Sequence, residues 1–224
     1  MGIIRAGLPL FARQGFAATT TKQIAAAAGV SEALLYKHFP SKESLYAAIE
    51  DACCGTISTA IDQVLGMPDD TATLVLIVFG TMHQMISGGE PSWYATEDFD
   101  RIMFQSYMSD GLFARLVHER TIGRVLGKLE SCLRNAIKAG DVSAAGGPPS
   151  VRFWFAQHLA AFLCLLKLQK TELVNYDPAS AATFQSALHF ALAGIGLRPQ
   201  AITKHMDIAK LTSAFAALFE SSTR

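Results

Sequence analysis

The segment Gly15–Glu50 constrains the fold of this chain more than any other, because it predicts two short helices joined by a tight turn. Thr20 and Gln23 have the spacing of a capping box, in which each side chain accepts a hydrogen bond from the other residue's backbone amide. This pair predicts a helix over residues 21–28. Gly29 ends that helix, because glycine tolerates the left-handed backbone conformation that a tight turn between helices requires.

A second short helix is predicted directly after the turn. Ser31 can cap its first amides, and the negative charge of Glu32 is favourable at the positive end of a helix. The run Tyr-Lys-His-Phe closes this helix, and Ser-Lys-Glu at residues 41–43 starts the next one. The arrangement is typical of a helix-turn-helix that reads DNA, with residues 32–38 as the recognition helix.

Residues 4–49 resemble the N-terminal domain of the tetracycline-repressor-like (TetR) family. The resemblance implies a DNA-binding transcriptional regulator whose divergent helical second domain binds a small effector and pairs with a second subunit. The positions that carry the resemblance are spread in order along the segment and are Phe11, Gly15, the run Thr19–Thr21, Ile24, Ala25, Gly29, Val30, Ser31, Tyr36, His38, Phe39, Lys42, Glu43 and Leu45.

The recognition helix should present one face to DNA. A step of about 100° per residue turns Leu35 and Phe39 toward the core of the small domain and leaves the opposite face free. The free face and its margins carry Ala33, Leu34, Tyr36 and Lys37. Lys37 suits a phosphate or a guanine edge, whereas the apolar side chains at positions 33 and 34 suit a thymine methyl group.

The resemblance also implies which residues hold the DNA backbone phosphates. These are Thr19, Thr20, Thr21, Tyr36, His38 and Lys42. For Tyr36 the alternative is a core aromatic, and for His38 it is a capping or packing role. Glu32 can serve the helix terminus or accept from a cytosine amine, and Thr20 is expected both to cap its helix and to lie near phosphate.

Pro9 departs from the family pattern, which usually has a helix-forming residue at this position. Because proline lacks an amide hydrogen and its ring clashes with the preceding turn, it predicts a kink in the first helix or a helix start near residue 8.

The charge distribution predicts weak non-specific binding to DNA. The chain has 19 basic and 19 acidic residues, and residues 1–50 carry five basic and three acidic side chains, a net charge of +2. Because phosphate neutralisation supplies most non-specific affinity, a surplus this small implies that few phosphates are neutralised by each subunit.

We expect no enzymatic activity, no cofactor and no metal site. The sequence has no glycine-rich phosphate loop after a strand, no His-Glu-x-x-His motif and no nucleophile elbow, and its four cysteines lack metal-ligand spacing. The N-terminal apolar stretch is too short for a secretory signal, and charged residues interrupt the apolar segment 151–168. These features predict a soluble cytoplasmic protein that does not enter a membrane.

Beyond residue 41, apolar residues recur at helical spacing and no stretch alternates as a strand would, so the chain is predicted to be all-α. The expected architecture is a three-helix DNA-binding domain over residues 1–48, followed by a larger helical effector-binding and dimerisation domain over residues 49–224. The fourth helix should cross this boundary and transmit a displacement from one domain to the other. The predicted helices span residues 3–14, 21–28, 32–38, 41–65, 70–88, 97–108, 111–139, 149–170, 178–195 and 201–221.

Methionines, aromatic residues and isolated polar residues in the central helices predict an apolar effector pocket, although core packing is an alternative for each of them. The preferred pocket residues are His83, Met103, Tyr107, Trp154, His158 and Phe162. Two stripes of small and apolar residues predict the dimer interface, which family analogy makes a four-helix bundle. They are Ala156, Ala160 and Leu163 on one helix and Phe184, Leu188 and Ala191 on the next. The last helix, 201–221, is expected to cover this bundle or to join the interface.

The sequence therefore predicts a homodimeric repressor that binds a near-palindromic operator in double-stranded DNA and is released by a small hydrophobic or aromatic effector. The alternative is a ligand-sequestering or protein-interaction module whose DNA reader has lapsed.

Overall fold

The computed structural model of the chain describes residues 2–87, 97–144 and 147–220. Its regular structure is helical, which confirms the predicted all-α fold. A single antiparallel bridge, between Val142 and Leu197, is the extended pairing found within the described residues. The helices are α1 (Gly2–Ala18), α2 (Thr21–Ala28), α3 (Glu32–His38), α4 (Lys42–Gly66), α5 (Thr71–Ile86), α6 (Glu97–Tyr107), α7 (Leu112–Arg120), α8 (Ile122–Lys138), α9 (Pro149–Lys167), α10 (Ala181–Ile195), α11 (Pro199–His205) and α12 (Ile208–Glu220).

The predicted bounds of α2 and α3 are confirmed, together with the capping chemistry that sets them. The Gln23 amide donates to Thr20 Oγ1 over 3.2 Å, and the Thr20 amide donates to Gln23 Oε1 over 2.8 Å. Gly29 ends α2 in the left-handed region with φ 67°. Ser31 accepts a hydrogen bond from the Leu34 amide over 3.2 Å and so caps α3.

Of the two effects predicted for Pro9, a kink in the first helix or a helix start near residue 8, the second is wrong. The helix begins at Gly2 and continues through Pro9, and its one non-helical residue is Gly15, with φ 75° and ψ 173°. Leu8 and Phe11, on either side of the proline, are buried, so packing offsets the one backbone hydrogen bond that proline removes. The interruption at Gly15 uses a conformation that other residues rarely adopt.

Two predicted long helices are each divided in the structure. The predicted helix 111–139 breaks at Thr121, whose φ and ψ are −108° and −87° and whose hydroxyl donates to the carbonyl of Val117 over 2.7 Å. The predicted helix 201–221 breaks before Asp207, whose carboxylate accepts from the Lys210 amide over 3.2 Å. In both places a short polar side chain binds nearby backbone, which competes with an uninterrupted helix.

The chain forms two compact units. The first comprises Met1–Gly55 with Ser92–Ile122, and the second comprises Thr56–Pro91 with Gly123–Arg224. Both this division and the predicted domain boundary at residue 48 fall within α4. In the first unit α6 packs on α1 and α7 packs on α6, so the helix-turn-helix shares a hydrophobic core with helices that lie further along the chain.

The second unit is organised around α5. This helix packs against α9, α10, α11 and α12, and α9 also packs against α10. Arg152 of α9 links the start of that helix to the end of α10. Its guanidinium donates to the carbonyls of Gly147 and Ile195 over 2.9 and 3.0 Å. Almost every residue from 71 to 82 in α5 is buried, so this helix forms the centre of the core of the second unit.

Candidate nucleic-acid interface

The recognition helix α3 has one buried and one exposed face, as its sequence predicts. Leu35 is fully buried in the core of the first unit, and Phe39 packs against that core. The side chains predicted to meet DNA, Ala33, Leu34, Tyr36 and Lys37, are all exposed. They offer an apolar surface of two residues beside a phenol and an ammonium group.

A side-chain hydrogen bond joins the recognition helix to the first turn of α2. The hydroxyls of Tyr36 and Thr21 lie 3.0 Å apart, and either can donate. A phenol and an alcohol each retain further hydrogen-bonding capacity when they share one bond. The pair therefore brings two predicted phosphate contacts together, at a helix N-terminus where free amides favour an anion.

Thr19 does not belong to this exposed surface, which corrects its predicted role as a phosphate contact. Its side chain is fully buried, and its hydroxyl donates to the carbonyls of Gly15 over 2.8 Å and Leu10 over 3.3 Å. The neighbouring Thr20 is exposed and caps α2. Thr20 and Thr21 therefore remain available to DNA, whereas Thr19 holds the end of α1.

Lys42 is bound to backbone carbonyls of the protein itself. Its Nζ donates to the carbonyl oxygens of Phe16 over 2.7 Å and Thr19 over 3.1 Å, with Ala17 at 3.4 Å. The same ammonium lies 4.3 Å from the centroid of the Phe16 ring. This arrangement differs from the predicted phosphate contact, because the cation is already surrounded by partners.

Acidic and basic side chains at opposite ends of α3 complement its dipole. Glu32 lies in the first turn, and Lys37 and His38 lie in the last turn. His38 is exposed, and its ring lies 6.4 Å from that of Phe39. Its side chain remains accessible to a phosphate.

Sequence reasoning missed Lys22 as a member of this surface. Lys22 is exposed in the first turn of α2, next to Thr21. The available signal was its position, two residues after the cap Thr20, in the helix turn that also carries Thr21. An exposed lysine there can neutralise a phosphate.

The six predicted effector residues are divided between the two units. Met103 lies in the core of the first unit, and Tyr107 is exposed in the same unit with its hydroxyl 2.5 Å from His118 Nε2. In the second unit His158 and Phe162 are exposed, and Trp154 lies partly buried with its ring 5.8 Å from that of His158.

His83 lies in an aromatic environment within the second unit. Its ring centroid is 5.2 Å from that of Phe79, 5.8 Å from that of Phe184 and 5.6 Å from that of Phe215. Burial lowers the pKa of His83, because a charged imidazolium is poorly solvated there. Its Nδ1 is buried and has no hydrogen-bond partner among the described residues.

The six residues predicted to form the dimer interface are buried within the second unit, so the predicted stripes are corrected to core positions. Ala160 and Leu188 are fully buried, and Ala156, Leu163, Phe184 and Ala191 are nearly so. These positions pack in the core where α5, α9 and α10 meet. The exposed faces of α9 and α10 carry other large apolar residues, Val151, Phe155 and Phe162 on α9 and Phe190 on α10.

The described residues have further properties that bear on function, which concern metal sites, reactive cysteines and membrane-spanning helices. They include no group of three or more His, Cys, Asp or Glu side chains placed to hold a metal ion. The four cysteines are buried, and burial raises the pKa of Cys53 to about 12. Among the described helices, none combines the length and apolarity that a bilayer crossing requires.

The segment that contains this interface is similar to known bacterial regulators. Residues 3–49 match the family model described as bacterial regulatory proteins, tetR family. The chain is 39% identical over 70 residues to YerO of Bacillus subtilis, an uncharacterized HTH-type transcriptional regulator, covering 31% of this chain and 23% of that protein. It is 40% identical over 65 residues to the nucleoid occlusion factor SlmA of Photobacterium profundum, covering 29% of this chain and 33% of that protein. The chain thus spans about a quarter to a third of the length of these curated relatives.

A solved structure extends the likeness to the whole fold. The transcriptional regulator FadR from Bacillus subtilis, in complex with stearoyl-CoA, superposes with a TM-score of 0.63 at 16% identity. The match covers 87% of this chain and 98% of FadR. At this identity the likeness shows the fold, an N-terminal helix-turn-helix followed by a helical domain.

Proposed function

We propose that this chain, which belongs to the tetR family of bacterial regulatory proteins, is a transcriptional repressor that binds operator DNA as a homodimer and is released by a small apolar effector. The observation that carries this proposal is the exposed surface of α3 beside the Tyr36–Thr21 pair, within the segment that matches the family. A recognition helix that was buried, or whose DNA-facing side chains were all bound to other parts of the protein, would not support this function.

In this proposal α3 enters the major groove. Leu34 and Ala33 contact thymine methyl groups, and Lys37 binds a guanine edge or a phosphate. The sugar-phosphate backbone is bound by side chains at the start of α2 and in the C-terminal half of α3, which position the protein without reading bases. They are Thr20, Thr21, Lys22, Tyr36 and His38. A homodimer presents two such surfaces, so the operator should be near-palindromic.

The experiment that tests this function is selection of random genomic fragments on the purified full-length protein, followed by footprinting of the retained fragments. A repressor protects one near-palindromic site with two half-sites about one helical turn apart. Retention that is equal for all fragments, or no retention at low salt, would contradict the proposal. That result would favour a module with a lapsed DNA reader.

Leu34→Ala and Tyr36→Phe are expected to weaken DNA binding in different ways, although neither changes the charge of the protein. Leu34→Ala should relax sequence preference at one base pair per half-site by about 1 kcal/mol or more, because a methyl contact is lost. Tyr36→Phe should weaken all sequences alike, because the lost hydroxyl positions the protein on phosphate. Competition binding with single-base operator variants measures both effects.

A change in base preference for Tyr36→Phe, or a uniform loss for Leu34→Ala, would reverse this assignment of roles. The exposed Ser213 on α12, changed to alanine, serves as a control because it removes one hydroxyl far along the chain from the helix-turn-helix.

We place the subunit interface on the exposed faces of α9 and α10. Phe155, Phe162 and Phe190 have 67%, 59% and 70% of their surface exposed in the single chain. Exposed aromatic side chains grouped on neighbouring helices are typical of a surface that another protein covers. Because the two helices pack against each other, a second copy that supplies the same pair would complete a four-helix bundle.

We place effector recognition in the second unit, with His83 as its polar member. The surrounding rings of Phe79, Phe184 and Phe215 suit an apolar or aromatic compound, and the unpartnered Nδ1 suits one polar group on that compound. The stearoyl-CoA bound by FadR likewise has an apolar acyl chain, although its coenzyme A part is charged.

A compound that releases the operator should obey reciprocal coupling. If it prefers the DNA-free arrangement by about 1–3 kcal/mol, operator affinity falls roughly 5-fold to 150-fold and operator weakens compound binding by the same factor. A thermal-shift screen of fatty acids and aromatic compounds finds candidates that raise the melting temperature, and titrations with and without operator measure both factors. Equal compound affinity for free and operator-bound protein would exclude induction by this route. His83→Phe should weaken compound binding while leaving operator affinity unchanged.

A further inference from the structure

We propose that Lys42 is a positioning residue for DNA reading, which fastens the end of α1 to the start of α4 and thereby fixes the helix-turn-helix, and that it does not neutralise a DNA phosphate. This inference rests on the proposed function and assigns Lys42 a role within it.

The hydrogen bonds of Lys42 leave its ammonium without a free donor. An ammonium has three N–H groups, and Nζ lies 2.7 Å from the carbonyl oxygen of Phe16, 3.1 Å from that of Thr19 and 3.4 Å from that of Ala17. Phe16 and Ala17 lie at the end of α1, after the interruption at Gly15, where carbonyls lack helical partners. A cation at this position satisfies those carbonyls.

An aromatic ring contacts the same ammonium and ties it to the core. The Phe16 ring centroid lies 4.3 Å from Nζ, within the range of a cation–π interaction. That ring also lies 4.8 Å from the ring of Tyr46, which is buried on α4, and 6.0 Å from that of Phe11. Lys42 is therefore held between backbone carbonyls and an aromatic cluster of the first unit.

The fastening reaches the recognition helix through a short series of contacts. Lys42 binds the Thr19 carbonyl, and the Thr19 hydroxyl binds the Gly15 carbonyl, so the chain between α1 and α2 is held from both sides. Thr20 then caps α2, and Thr21 bonds to Tyr36 on α3. Loss of the ammonium would release this connection, and with it the position of the DNA-facing side chains.

Three variants distinguish positioning from phosphate binding, because the two roles respond differently to salt and to residue type. A lysine that neutralises a phosphate contributes about 0.9 to the slope of log affinity against log salt, whereas a positioning residue contributes nothing directly. Arginine binds phosphate at least as well as lysine does. Its planar guanidinium, however, cannot direct three donors to carbonyls on one side of a single nitrogen.

The experiment measures binding of the full-length protein to its retained operator fragment at several salt concentrations for Lys42→Met, Lys42→Arg and Lys22→Met. We expect Lys42→Met to lose about 10-fold or more in affinity, since charge-assisted hydrogen bonds are removed, with the wild-type salt slope. Lys42→Arg should recover only part of that loss. Lys22→Met, the matched control at an exposed position, should lower the slope by about 0.9 per subunit.

A second measurement on the free protein keeps the inference separate from the proposed function. Amide hydrogen exchange over residues 16–24 should be faster in Lys42→Met than in wild type, whether or not any DNA fragment is retained. Unchanged exchange there would overturn the inference. So would a lower salt slope in Lys42→Met together with wild-type binding by Lys42→Arg, or wild-type affinity in a folded Lys42→Met protein.

Discussion

Phe155→Asp should convert the proposed dimer into folded monomers and raise its dissociation constant at least about 1000-fold, because an unpaired charge buried in an interface costs several kcal/mol and two-fold symmetry buries it twice. Most of the Phe155 side chain is exposed in the single chain, so the substitution should not prevent folding. Sedimentation over a range of concentrations measures the dissociation constant, and circular dichroism verifies the fold. Because a monomer reaches one half-site, operator affinity should fall along with dimerisation.

Leu188→Asp provides the contrasting case on the next helix. Leu188 is fully buried among α5, α9 and α10, so a carboxylate there should unfold the second unit before any question of pairing arises. Phe155→Leu is the matched control for the surface position, since it keeps an apolar side chain and should still dimerise. A stable dimer with Phe155→Asp would show that the subunits pair elsewhere.

The contrast between these two positions shows what helical periodicity can predict. Periodicity identified α9 and α10 as helices with apolar stripes, but both faces of each helix carry large apolar residues. The pattern alone does not indicate which stripe packs against α5 and which remains free for a partner. That choice depends on contacts among helices that are distant in the sequence, and the predicted interface residues were therefore the core ones.

The helix-turn-helix was predictable because its determinants are local. Thr20 with Gln23, Gly29 and Ser31 act within four residues of the helix ends that they define, and the structure reproduces those ends. Lys42 is a different case. The carbonyls that it binds belong to residues 23 to 26 positions earlier, so its residue type was visible in the sequence but its partners were not.

Helix α4 carries a buried carboxylate that pairs with an arginine of α7. The side chain of Glu50 is 2% exposed, and Arg120 at the end of α7 places its Nε 3.3 Å from Glu50 Oε1 while also pairing with Asp51. Burial raises the pKa of Glu50 above its ordinary 4.5, and the charge of Arg120 opposes that rise. Arg120 is thus the main compensation for a charge that is taken out of water.

Arg120→Met should lower the free energy of unfolding at pH 7 by about 3 kcal/mol, the lower end of the range for a broken buried pair, because Arg120 is partly exposed and screened by solvent. The pKa of Glu50 in the folded protein lies above its ordinary 4.5. Its contribution to folding stability is therefore complete below pH 4.5 and is lost as the pH rises through the folded-state pKa. Without Arg120 that folded value rises further. The difference between variant and wild type should therefore be small near pH 4.5 and should widen toward pH 7.

Urea unfolding at a series of pH values measures this difference, and contributions from other carboxylates cancel between the two proteins. Adding Glu50→Gln to Arg120→Met should restore most of the stability at pH 7, because the neutral amide needs no cation. A loss that is the same at pH 4.5 and pH 7, or a double variant no more stable than Arg120→Met, would mean that Arg120 acts through packing. Arg120 links α7 to α4 within the first unit. If the pair acts through its charges, any change that exposes Glu50 to water should weaken this link.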